Sequence, residues 1–120
     1  MDGEEFFDRL YSHFHVPFPC YAILLSGGDG FATEPAEDGT ESLVLLTDED
    51  LVERYLIDSP DPRAFPVALA EPPLLARLLR RLPPSITHVT FDPRPGFHRR
   101  YPIGAIRESL APALKPRRAG

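Results

Sequence analysis

Residues 43–56 read LVLLTDEDLVERYL: an aliphatic run, then one hydroxyl and three acids, then apolar residues at a new interval. The run reaches back to Glu41, and ESLVLLT has the length and composition of a buried strand. From Leu51 onward the spacing changes. Leu51, Val52, Tyr55 and Leu56 form two adjacent pairs four apart, which is one face of an amphipathic helix. The junction between the two patterns is a helix start signal: the Thr47 hydroxyl is placed to cap free amides, with Asp50, three residues on, reaching back to the cap. Ser59-Pro60-Asp61-Pro62 ends the helix, because proline has no amide donor and biases its predecessor toward extended backbone.

Upstream, CYAILLS (residues 20–26) is a second short apolar run, read as a strand, and GGDGFATEPAEDGT (residues 27–40) is expected to be a mobile loop joining it to Glu41. Before it, Phe6, Phe7, Leu10, Tyr11 and Phe14 fall on one face of a helix spanning residues 3–15, with Asp2 and Glu5 at capping-box spacing. Val16-Pro17-Phe18-Pro19 then leaves that helix. Downstream, FPVALA (residues 65–70) reads as a third strand. Pro72 and Pro73 suit the first turn of a helix whose stripe is Leu74, Leu75, Leu78, Leu79 and Leu82, with Arg77, Arg80 and Arg81 toward water. Residues 87–92 alternate as a strand, residues 93–96 make a turn, residues 97–101 return as a short strand, and Pro102 opens a last helix with Ile103, Ile106 and Leu110 inward.

This alternation predicts an α+β (α/β) single domain, with a mixed sheet of four or five strands covered by about four helices. The domain is expected to span residues 1–112, followed by a flexible tail over residues 113–120. A length of 120 residues with 42 % hydrophobic content is enough for one core. Cys20 is the single cysteine, which excludes an intramolecular disulfide and a four-thiolate zinc site and fits a reducing cytoplasm. Apolar runs are short and the N-terminus is acidic, so neither a membrane span nor an export signal is expected.

The net charge of −5 conceals a division along the chain. Residues 1–60 carry fourteen Asp or Glu against Arg9 and Arg54, whereas residues 61–120 carry eleven Arg or Lys against four acids. In one folded body these halves largely neutralise each other.

The stretch LVLLTDEDLVERYL, with the leucine-rich helix that follows and then HVTFDPRPGFHRRYPIGAIRESL, is similar to the N-terminal domain of the SseB-like bacterial proteins. The shared features over about residues 42–110 are an aliphatic strand entering a Thr-Asp-Glu capped helix, an amphipathic leucine helix, a strand ending in an Asx-Pro turn, and a terminal helix. Asp92 stands before Pro93 where that family often has asparagine. The resemblance implies an α+β accessory or interaction domain with no established catalytic residue.

The residues offer little chemistry of their own. His13 and His15 lie two apart, on different faces of a helix, so no metal site is expected. Cys20 opens an apolar strand, where a thiol packs rather than attacks, and no Gly-x-Ser-x-Gly elbow exists. SGGDG (residues 26–30) lacks the Gly-Lys-Ser/Thr ending of a phosphate loop, and the acids after it do not follow a calcium-loop spacing. No catalytic residue and no cofactor are therefore expected. Residues 94–101 interleave arginines with aromatics, and Arg94, Phe97, Arg99, Arg100 and Tyr101 are the expected partner-binding residues, with Phe97 and Tyr101 as anchors. The preferred function is non-enzymatic recognition of another protein. Nucleic-acid binding by the same arginines is the alternative, and a homodimer through an exposed strand edge is open.

Overall fold

A computed structural model describes residues 15–26, 30–94 and 97–114, without the side chains of Arg94 and residues 97–99. Its centre is β3 (Glu41–Leu46), whose side chains from Ser42 onward are all buried. The other strands are β1 (Cys20–Leu24), β2 (Thr33–Pro35), β4 (Phe65–Leu69), β5 (Ile86–Arg94) and β6 (Phe97–Pro102). The helices among the described residues are α1 (Glu49–Asp58), α2 (Pro72–Arg80) and α3 (Ile103–Leu114). The sheet runs β4-β1-β3-β5-β6, with β2 also paired to β3. β1 is antiparallel to both β3 and β4, and β3 is parallel to β5, so the sheet is mixed and the fold is α+β.

Chain direction explains where the helices lie. The crossover from β3 to β4 and the one from β4 to β5 travel in opposite directions across the sheet. Crossovers of one hand then require their helices on opposite faces. Accordingly, Val52 of α1 packs with Ile23, Val44 and Leu46, while Leu75, Leu78 and Leu79 of α2 and Ile106 and Leu110 of α3 pack with Ala22, Leu43, Leu45 and Val89. The period of two along β3 sends alternate residues to these two cores.

Several boundaries differ from the sequence reading. Residues 30–40 are not an open loop. Ala32 donates its amide to the Ile23 carbonyl at 2.8 Å and accepts from the Val44 amide at 3.1 Å, and β2 then pairs with β3 from Thr33↔Leu43 to Pro35↔Glu41. β1 and β2 thus lie end to end along one side of β3, and a tight turn closes β2 onto β3 with Gly39 at φ +85 and the Ala36 amide on the Thr40 carbonyl at 2.8 Å. Three-residue β2 escapes periodicity because Thr33, Glu34 and Pro35 carry no alternation to detect. Among the described residues the sheet therefore has six strands rather than four or five. The expected helix over residues 3–15 and its aromatic stripe lie outside the described residues, except His15, which is not helical.

The N-cap of α1 is Asp48, not Thr47: its carboxylate accepts the Asp50 amide at 2.8 Å. The buried face of α2 is Leu75, Ala76, Leu78 and Leu79, turned by about one position, which leaves Leu74 at 40 % exposure. β5 continues through Pro93 to Arg94, so residues 93–94 belong to the strand and not to a turn, and α3 runs through Pro112 to Leu114. Among the described residues no helix is long and apolar enough to cross a membrane.

Candidate functional site

Among the described residues, the polar end of the sheet lies beyond α1. α1 lies over Ile23, Val44 and Leu46, and farther along the same face the strands place Ser42, His88, Thr90 and Arg100 side by side. Ser42 pairs with His88, Val44 with Thr90, and Thr90 with Arg100. A cleft of about 590 Å³ opens there, lined by Ser42, Thr90 and Arg100 and by residues 34–38 of β2 and its turn.

Arg100 is held in place by neutral groups. Its Nε donates to Ser42 Oγ at 2.8 Å, and its Nη2 lies 3.4 Å from both Thr40 Oγ1 and His88 Nδ1. A guanidinium only donates, so His88 Nδ1 is the acceptor; Thr87 Oγ1, 2.7 Å away, donates to the same nitrogen, which places the ring proton on Nε2. Asp38 accepts from the Thr40 hydroxyl at 2.5 Å and from its amide at 3.0 Å. These bonds, with Arg100 nearby, hold the Asp38 carboxyl below the usual carboxylate range. Thr90 is fully buried, and its Oγ1 has no hydrogen-bond partner among the described residues.

The expected binding strip is divided by its own strand. Arg100 faces the cleft. Tyr101, one residue on, takes the opposite face and packs edge-on against Phe91, with ring centroids 5.8 Å apart at 69°. Tyr101 is half-buried against the core, so its ring is a packing group and not a free anchor. The backbones of Arg94 and Phe97 pair with each other and that of Arg99 pairs with Phe91; the side chains of Arg94, Phe97 and Arg99 lie outside the described residues. Ser42, Thr90 and Thr40 were missed because a lone hydroxyl in an aliphatic strand reads as packing. The available signal was that Ser42 and Thr90 are the polar residues at buried positions of ESLVLL and HVTF.

A second depression, apolar and about 710 Å³, lies between α2 and the β4 side of the sheet. Leu24, Phe31, Val67 and Leu78 line it, the half-exposed Leu74 stands at its margin, and Arg77 and Arg81, one helical turn apart, border it. Both arginines are exposed, as the sequence reading expects, whereas Leu74, expected in the core, is not buried.

Cys20 is fully buried, and burial, with the charge of Asp92 second, pushes its thiol from the ordinary value of 9.0 up to about 12. A value raised on folding favours the neutral thiol in the native state. Stability is thus intact below about 9 and is lost as pH climbs toward about 12. Denaturant midpoints measured across that window should fall more steeply for the natural chain than for Cys20→Ala; equal slopes would show that the thiol is not shielded. In mildly alkaline native buffer the thiol should also resist an aromatic disulfide reagent and react in full after denaturation.

Among the described residues no group of three His, Cys, Asp or Glu is arranged to hold a metal ion. The fold and its two depressions define a mixed-sheet α+β domain with a polar cleft on one face and an apolar groove on the other. Compared with protein-family models and with curated proteins, the chain matches none.

Proposed function

We propose that the protein is a non-enzymatic interaction domain of the SseB-like accessory kind, and that it recognises a segment of another protein in the apolar groove beside α2. The observation that carries this reading is the pairing of an open apolar wall with Arg77 and Arg81 on its border. Apolar contact supplies the affinity, and two guanidiniums one turn apart supply the selection for carboxylates. The fitting partner is an amphipathic segment with leucine or phenylalanine on one face and Asp or Glu on its flank.

Residues 94–101 lend less support as a recognition surface. Tyr101 is engaged by the core, and Arg100 lies in a cleft bordered by Glu34, Glu37 and Asp38. Those same acids oppose a phosphate backbone at Arg100, which weighs against the nucleic-acid alternative.

Fluorescence anisotropy with two labelled helical peptides tests the reading, one carrying the apolar stripe with acidic flanks and the other the same stripe with basic flanks. The acidic peptide should bind, and Arg77→Glu combined with Arg81→Glu should weaken it at least tenfold. No binding of either peptide, or equal binding of both, overturns it.

A further inference from the structure

We infer that the cleft between the β2–β3 turn and β6 is a binding site for a free α-amino acid, which carries a carboxylate and an ammonium a few ångströms apart. This site is on the opposite face of the sheet from the groove and does not depend on the groove's function.

Thr90 is at 0 % exposure, its Oγ1 has no partner among the described residues, and it lines the cleft. A buried hydroxyl without a partner is destabilising relative to an apolar isostere, and such groups are uncommon in folded proteins. At this position valine would fill the same space without that penalty. A ligand atom reaching Thr90 supplies the missing bond.

The neighbours of Thr90 define what that atom is. Ser42 Oγ accepts from Arg100 Nε, which leaves the Ser42 proton to donate. Arg100 Nη1 has no protein acceptor among the described residues. Two hydroxyls and a guanidinium thus meet at the floor, a donor set suited to a carboxylate.

The border carries the opposite sign. Glu34, Glu37 and Asp38 line the same cleft, and Asp38 is held ionised by Thr40. A simple anion would meet the carboxylates of Glu37 and Asp38 on its way to Arg100, and a simple cation would meet Arg100. A molecule with both charges satisfies both parts, with its carboxylate on the floor and its ammonium toward the border.

The experiment uses the full chain, the protein α-amino acids, and for each its N-acetyl derivative, which lacks the ammonium, and its amide, which lacks the carboxylate. Binding is followed by the shift in melting temperature and by amide chemical shifts of Ser42, Thr90 and Arg100. At least one free amino acid should bind, with both of its derivatives at least tenfold weaker. Arg100→Gln should abolish binding, and Glu37→Gln should weaken the amino acid while leaving its N-acetyl derivative unchanged. Thr90→Val should raise the melting temperature of the free protein and weaken the ligand, a combination that a misfolded variant does not give. Failure of every amino acid to bind overturns the inference, as does equal binding of the N-acetyl derivative, which marks a plain anion site, or binding that survives Arg100→Gln. The peptide experiment on the groove is unaffected by any of these results.

Discussion

Leu45→Ala should destabilise the protein by about 3 kcal/mol, within the range of roughly 2–5 kcal/mol typical of such truncations at fully buried leucines. Leu45 is at 0 % exposure on the central strand, between Ala22 of β1 and Phe91 of β5, and it shares one core with Leu75, Leu79 and Ile106 of α2 and α3. Flanking strands on both sides leave little room for the site to collapse onto the lost methyl groups, so the cavity penalty adds to the lost transfer energy. A domain of this size has roughly 5–15 kcal/mol in total, so the variant should melt about 10–20 °C lower while still folding. Leu74→Ala is the matched control. At 40 % exposure on the border of the groove, it should cost under about 1 kcal/mol. Equal losses at Leu45 and Leu74, read from urea midpoints at constant m-value, would contradict the assignment of buried and open faces on these two elements.

The same pair of leucines shows what periodicity conveys. In β3 every side chain from Leu43 to Leu46 is buried, so a short aliphatic run is sufficient to identify the central strand. In α2 the spacing identifies a helix but not its rotation to within one residue, because Leu74, Leu75, Leu78, Leu79 and Leu82 form a stripe wider than the face that is buried. Which edge stays open depends on what lies opposite. β2 was illegible for a different reason: its three residues are strand-like only because β3 offers them a ladder. Arg100 and Tyr101 were grouped by composition, and a strand separates neighbours onto opposite faces. The cleft itself gathers Glu34, Ser42, Thr90 and Arg100 from β2, β3, β5 and β6, a convergence that no local pattern carries.

Asp92→Ala should cost about 3 kcal/mol, although Asp92 is only half-buried and belongs to neither core. Its two carboxylate oxygens accept from the Thr47 amide at 2.8 Å and from the Thr47 hydroxyl at 2.6 Å, latching the end of β3 to the end of β5. Asp92 also has φ 48, in the left-handed region, at the point where the β5–β6 ladder shifts register between Phe91 and Arg94. Alanine loses both bonds, leaves two donors of Thr47 without their acceptor, and fits the left-handed backbone poorly, at about 1 kcal/mol or more for that strain alone. Asparagine tolerates the same backbone, keeps one oxygen for the amide, and donates to the Thr47 hydroxyl instead, so Asp92→Asn should cost under about 1 kcal/mol. Glycine removes the strain but not the lost bonds, which places Asp92→Gly between the two. Urea midpoints should therefore fall in the order Asn, Gly, Ala. A loss for Asn as large as that for Ala would assign the effect to charge instead of geometry, and equality of Gly and Ala would remove the backbone contribution. Thr47→Val separates the latch from a cap: as partner of Asp92 it should lower protection from hydrogen exchange in β5, with the first turn of α1 unaffected because Asp48 caps it.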